Sequence, residues 1–260
     1  MSNTINLFRD SKKSGRPLAL VTAYDATMAA LARAAGVDAL LVGDSLGMVV
    51  QGGDNTLSVT LDEMVYHTRL VARGAPDMFI ITDLPFMSYQ VSPENALRSA
   101  GLVLKEGRAQ AVKLEGGEEI IPQVRALVAV GIPVMAHLGL QPQSIHLYGG
   151  YGKRGKTAAE RRELLVGARL LQDAGAFALV LENIPHDLAA EITRALEMPT
   201  IGIGAGPACD GQVQVFHDLL GLQPDFKPRH AKRYAEAGRT IIKALTRFVQ
   251  EVHEGSFVSR

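Results

Sequence analysis

Short apolar runs recur along the chain at an even pace, with helix-like segments between them. They cover residues 18–22, 39–42, 78–83, 111–115, 133–137, 176–181 and 200–203, and a weaker one lies near 213–216. Most show no apolar–polar alternation, which is the pattern of strands buried on both faces of a parallel sheet. The intervening segments carry helix-start signals. Asp25 can cap an Ala-rich helix that Gly36 stops, and Ser92-Pro93 opens another. Thr60…Glu63 and Thr157…Glu160 are capping boxes. Further helices are predicted over 118–129, stopped by Gly131, and after Pro185 and Asp187 to about residue 196. Residues 4–14 read as a short helix, with Ile5, Leu7 and Phe8 packing inward to plug one end of the fold. Residues 230–252 read as a helical tail with Ala235, Ile241, Ile242, Leu245 and Val249 on its inner face.

Eight strands alternating with helices, no Ser- or Pro-rich linker and 260 residues point to one domain over residues 1–260. The fold class is α/β, a (β/α)8 TIM barrel with an N-terminal helix. An open doubly wound sheet is the competing architecture. It usually carries a glycine-rich phosphate turn after the first strand, and here Ala23-Tyr24-Asp25 stands there.

The strand ends carry the chemistry. Four apolar runs finish at or beside a carboxylate, namely Asp44, Asp83, Glu115 and Glu182. An unpaired buried charge is costly, so four of them at one rim suggest a shared site at the C-terminal mouth. Asp44 and Asp83, on neighbouring strands without sulfur or paired histidines nearby, suit a hard cation such as Mg2+. Each alone could equally cap a helix or pair with a base. Lys113 and Glu115 stand two apart and face the same way. Lys113 could neutralise a substrate carboxylate, form a Schiff base with a carbonyl, or simply pair with Glu115. Glu182 follows Val180 and Leu181, an apolar setting that raises a carboxyl pKa toward the range of a general base. His137 and Ser45 are candidate hydrogen-bonding groups for a substrate.

Bulk properties narrow the field. Lys and Arg total 27 against 27 Asp and Glu, so nothing in the global charge favours nucleic acid or an anionic membrane. Cys209 is the single cysteine and is expected to be inert. No disulfide, no signal-peptide pattern in residues 1–6 and no bilayer-length apolar stretch lead to the expectation of a cytoplasmic protein. The run Gly202-Ile203-Gly204-Ala205-Gly206 is a weak match to a phosphate cradle, since barrels also need glycine at sharp turns. The loop Tyr148 to Lys156, with Lys153, Arg154 and Lys156 among glycines, is either a lid that meets an anionic substrate tail or a solvated surface loop.

Six stretches in order carry a resemblance. They are Thr22-Ala23-Tyr24-Asp25, Val42-Gly43-Asp44-Ser45-Leu46-Gly47, Asp83-Leu84-Pro85-Phe86, Lys113-Leu114-Glu115-Gly116-Gly117, His137 through Gln143, and Gly202 through Gly206. Together they resemble the ketopantoate hydroxymethyltransferase family over about residues 4–250. Asn183-Ile184 after Glu182 departs from the family pattern, though the glutamate is retained.

The resemblance implies a Mg2+-binding barrel, one ion per subunit, assembled as a homodecamer of two stacked pentamers. It implies transfer of a hydroxymethyl group from 5,10-methylenetetrahydrofolate to 3-methyl-2-oxobutanoate through a metal-stabilised enolate. The products are 2-dehydropantoate and tetrahydrofolate, in pantothenate and coenzyme A biosynthesis. On matching positions, Asp44 and Asp83 would hold the metal, with Glu115 supporting it directly or through water. Ser45 and Lys113 would bind the 2-oxo acid, and Glu182 would be the general base. The resemblance favours an electrostatic Lys113 over a Schiff base. Two other functions fit the same pattern: a Mg-dependent lyase or mutase of the phosphoenolpyruvate mutase and isocitrate lyase type, and a barrel that binds a ligand without catalysis.

Overall fold

The computed structural model describes residues 4–226, 228 and 231–257. His230, where the tail helix is expected to begin, and residues 1–3 of the leader reading lie outside that set. The chain divides into two compact units, residues 1–213 and 214–260.

In the first unit, parallel strands close into a barrel in sequence order. They are β1 (Leu18–Thr22), β2 (Ala39–Val42), β3 (Phe79–Asp83), β4 (Ala111–Glu115), β5 (Val134–Gly139), β6 (Ala178–Glu182), β7 (Thr200–Ile203) and β8 (Gly211–Gln214), of which the last residue opens the second unit. Leu20 stands beside Ala39, Ala39 beside Phe79, Ile81 beside Ala111 and Met135 beside Ala178. The backbone N–H of Leu18 bonds the carbonyl of Asp210, drawing the start of β8 to β1.

The helices of this unit are α1 (Asn6–Ser14), α2 (Ala26–Ala34), α3 (Leu46–Val49), α4 (Leu61–Gly74), α5 (Pro93–Leu102), α6 (Ile121–Ala129), α7 (Ile145–Tyr148), α8 (Ala158–Asp173) and α9 (His186–Ala195). The expected caps form: Asp25 accepts from Met28 N, and both capping boxes are complete. No helix separates β7 from β8, because seven residues cannot hold one and still return the chain to the barrel floor.

Strand residues divide by parity. Outward positions such as Val112, Leu114, Ala136, Leu138, Leu179 and Leu181 pack with the helices in one core. Inward positions Leu20, Leu41, Ile81, Ala111, Met135, Val180, Ile201 and Val213 form a second core inside the barrel. Helix α1 closes the floor of that core as expected. Phe8 is fully buried, with its ring centroid 5.8 Å from that of Phe79 and 5.1 Å from that of Phe177, and Ile5 and Leu7 pack alongside.

Two elements differ from their sequence expectation. The last strand lies at Gly211–Gln214 rather than near 213–216, and Phe216 instead begins α10 (Phe216–Leu220) in the second unit. Val215 and Phe216 supplied the apolar signal, but they initiate a helix. In the same unit the tail forms α11 (Ala237–His253). Its apolar stripe is real, yet Ile241, Ile242, Leu245, Phe248, Val249 and Val252 are exposed, and Ala235 lies before the helix and is exposed too. Amphipathic spacing shows which residues share a face, not what covers it. Among the described residues, no helix is long and apolar enough to cross a membrane.

Candidate active site

The two-residue rhythm that fills the barrel with aliphatic side chains also builds its mouth. Continuing inward from Phe79 and Ile81 gives Asp83; from Ala111, Lys113 and Glu115; from Met135, His137; from Ala178 and Val180, Glu182. Asp44 and Ser45 follow β2 after Gly43, at the turn into α3.

These side chains meet. Asp83 Oδ2 accepts from the Asp44 backbone N–H at 3.1 Å, and Asp83 Oδ1 lies 2.9 Å from Lys113 Nζ. Lys113 is also 3.7 Å from Glu115 Oε1. The His137 ring stands between two acids, with Nδ1 3.4 Å from Glu115 Oε1 and Nε2 3.4 Å from Glu182 Oε2. Ser45 Oγ is 2.8 Å from the Tyr24 hydroxyl. Every residue singled out from the sequence for the site therefore lies in one linked cluster or at its edge.

All but Ser45 and Glu182 are buried to 5 % exposure or less, and the Glu182 side chain is 16 % exposed. Burial sets the electrostatics. It pushes the Asp44 carboxyl well above its usual range, aided by the charges of Asp83 and Glu115. It raises Asp83 too, against the pull of Lys113. Glu182 rises to about 8, through burial first and then the Glu115 charge. Burial would also raise Glu115, but the His137 ring, Lys113 and the Gln143 N–H outweigh it and hold that carboxyl low. Burial opposes a charged Lys113, yet Asp83, Glu115 and Asp44 more than offset this and keep the amine protonated. Four carboxyl groups thus share one ammonium, a surplus of acid over base that burial relieves by holding protons on the acids.

That surplus is the observation against which a divalent cation can be tested. Asp83 Oδ1 is buried and meets only the Lys113 ammonium, and Asp44 is disfavoured as an anion only while nothing neutralises it. Both oxygens are hard donors that suit Mg2+. Among the described residues no three His, Cys, Asp or Glu side chains form a ready metal cage. Mg2+ is commonly held by one or two carboxylates with substrate and water completing its shell, so two acids are a fitting donor set. The Glu115 oxygens are already engaged, Oε2 by the Gln143 N–H at 3.0 Å and Oε1 by His137 and Lys113.

Sequence reasoning missed three contributors. Tyr24 holds Ser45; Tyr89 donates to the Glu115 carbonyl at 2.8 Å; and the Gln143 amide donates to Asp44 Oδ2 at 2.9 Å. Tyr24 and Gln143 sit inside quoted stretches, but polar loop side chains carry no periodic signal. The other candidates fall outside the cluster. Cys209 is buried with its thiol pKa raised by burial, consistent with an inert role. A Cβ on Gly206 would come within 2.6 Å of the His186 ring, so that glycine serves a close approach. In the loop after α7, Lys153 bonds the Ile184 carbonyl, while Arg154 pairs with Glu160 and lies over the Tyr148 ring.

A closed parallel barrel with buried acids and a lysine gathered at its C-terminal mouth defines a TIM-barrel enzyme site. Comparison with known proteins makes the assignment narrower. The profile of the family described as ketopantoate hydroxymethyltransferase matches residues 2–260. The chain belongs to that family, whose members are transferases. A relative from Pelobacter propionicus named 3-methyl-2-oxobutanoate hydroxymethyltransferase is 55 % identical over 95 % of this chain and 91 % of its own. One of the same name from Thermus thermophilus is 53 % identical over 99 % of this chain and 97 % of its own. Among solved structures, a phosphonopyruvate hydrolase in complex with oxalate and Mg++ has a TM-score of 0.66 at 14 % identity, covering 98 % of this chain and 88 % of that one. A 2,3-dimethylmalate lyase of the PEP mutase/isocitrate lyase superfamily has a TM-score of 0.61 at 17 % identity, covering 98 % and 89 %. These two share the fold.

Proposed function

We propose that the chain transfers a hydroxymethyl group from 5,10-methylenetetrahydrofolate to 3-methyl-2-oxobutanoate, giving 2-dehydropantoate and tetrahydrofolate in pantothenate biosynthesis. The observation that carries the reading is Glu182, a carboxyl whose pKa is pushed up to about 8 in the same cluster as a charged lysine. A general base works best when its pKa lies near the working pH.

In this reading Asp44 and Asp83 would hold a divalent cation, and Glu115, its oxygens already engaged, would support it through water. When bound, the cation would act as a Lewis acid on the ketone of the 2-oxo acid. Lys113 offsets the negative charge that develops on the ketone oxygen as C3 loses its proton. Ser45, oriented by Tyr24, and His137 hydrogen-bond the substrate. Glu182 takes the C3 proton, and C3 then bonds to the methylene carbon of the folate, with water supplying the hydroxyl oxygen as the carbon–nitrogen bonds to the folate break and its amines take up protons. A His137 ring 3.4 Å from Glu182 steadies that carboxyl for the transfer.

Lys153, Arg154 and Lys156 would meet the polyanionic tail of the folate. Arg154 is already paired with Glu160, which leaves Lys156 the more available cation. We also take the homodecamer and a cytoplasmic location as part of this proposal. The exposed apolar stripe of α11 supports self-association, because such faces are rarely left to water.

The test is isotope exchange at C3 of 3-methyl-2-oxobutanoate, with and without Mg2+, followed by product analysis after adding the folate. Metal-dependent exchange and folate-dependent formation of 2-dehydropantoate are expected. Absence of exchange with metal supplied would refute the reading, and turnover without folate would point to a lyase or mutase. Unchanged folate affinity after neutralising Lys153, Arg154 and Lys156 would remove them from the folate site. Light scattering on the purified chain measures the oligomer.

A further inference from the structure

Gln143 lies in the turn that follows β5, with Pro142 ahead of it, and its side chain is 5 % exposed. The amide is fully engaged. Nε2 donates to Asp44 Oδ2 at 2.9 Å and to the Leu84 carbonyl at 2.9 Å. Oε1 faces the Tyr89 hydroxyl at 2.9 Å and accepts from Gln90 Nε2 at 3.0 Å. The orientation of the amide follows from these partners. Turned over, it would set an oxygen against two pure acceptors and an NH2 against the Gln90 donor. The same residue's backbone N–H holds Glu115 Oε2 at 3.0 Å. One residue from the β5 side therefore grips an acid from β2 and another from β4.

We propose that Gln143 is a positioning residue that fixes the Asp44 carboxylate for a divalent cation. The inference rests on the reading of Asp44 and Asp83 as the donors for that cation. Committing Oδ2 to the amide leaves Oδ1 as the oxygen offered to the metal, and it halts rotation of the carboxylate about its terminal bond. Groups that orient metal ligands in this way are worth roughly 10- to 100-fold in metal affinity. Gln90 provides the internal control. It bonds the far end of the same amide and does not bond Asp44, so it shares the packing of Gln143 but not its task.

The experiment titrates the full-length chain with Mn2+, following free ion by electron paramagnetic resonance, without any 2-oxo acid. Gln143→Met, near in shape and without the amide, is expected to weaken Mn2+ binding by about 10- to 100-fold. Gln90→Met is expected to stay within about twofold of the parent, since it leaves the Asp44 bond intact. Saturating Mn2+ should restore C3 exchange in Gln143→Met, so the loss resides in the metal requirement rather than in the proton transfer. If circular dichroism shows Gln143→Met unfolded, Gln143→Asn replaces it, keeping an amide that is one methylene too short to reach Asp44. Parental Mn2+ affinity in the folded Gln143 variant, or an equal loss in Gln90→Met, overturns the inference alone. A parent chain that binds no Mn2+ overturns it together with the metal reading, and the two failures are distinct.

Discussion

Replacing Glu182 by glutamine sets function against stability. The carboxyl pKa is raised from the ordinary 4.5 to about 8 by burial and neighbouring charge. Between those pH values the folded protein holds a proton that the unfolded chain has released. Stability contributed by this group is therefore lost as pH rises through the window, by about 1.4 kcal/mol per unit. At pH 7 the accumulated cost is about 3 kcal/mol. Glutamine keeps the shape and cannot ionise, so Glu182→Gln should be the more stable protein above about pH 5. For a chain of this size the gain corresponds to an increase in melting temperature of about 6–12 °C at pH 7. Below about pH 4.5 the difference should vanish. The same substitution removes the proposed base, and C3 exchange should fall by about 10²- to 10⁴-fold. Thermal melts from pH 4 to 8, paired with deuterium exchange followed by NMR, measure both. Parental exchange in the variant would refute the assignment of the base, and parallel melting curves across the pH range would refute the electrostatic argument.

Lys113→Met should unfold more readily by about 3–5 kcal/mol near pH 8, because it strands the acids at 2.9 and 3.7 Å, and far less at pH 5; chemical denaturation at the two pH values tests this. Phe8→Ala should cost about 3–5 kcal/mol by emptying the barrel floor, while C3 exchange by the folded fraction stays at the parental rate. Gly139 has φ +98° and a Cβ there would stand 2.2 Å from the Glu182 carbonyl oxygen. Gly139→Ala should therefore lower both the melting temperature and the exchange rate, in contrast to Phe8→Ala, which lowers only the first.

The barrel was legible because strands buried on both faces must be continuously apolar, and four of those runs ended at or beside a carboxylate. β1, β2, β4 and β7 lie where the apolar runs stand. β8 was harder, since in Gly211-Gln212-Val213-Gln214 only Val213 is aliphatic, and the stronger signal of Val215 and Phe216 belongs to a helix. The short helices α3 and α7 went unseen because a single turn has no periodicity to detect. The ionisable cluster was legible because its acids stand at the ends of apolar runs; in the structure Asp83, Lys113, Glu115, His137 and Glu182 also continue inward-facing series. Its neutral scaffold was not. Tyr24, Tyr89 and Gln143 act through hydrogen bonds reaching far along the chain, as Gln143 does to Asp44 across 99 positions, and no local pattern records such a bond.

The acidic strand ends belong to β2, β3, β4 and β6; the first three stand side by side in the sheet, and closure of the ring turns the β6 acid to face those of β2 and β3. A half-curled sheet already bears the repulsion among β2, β3 and β4; the finished ring adds that of β6. Alkaline conditions therefore bear hardest on the native architecture, and the crowding that makes the ring fragile there is what gives its mouth an appetite for positive charge.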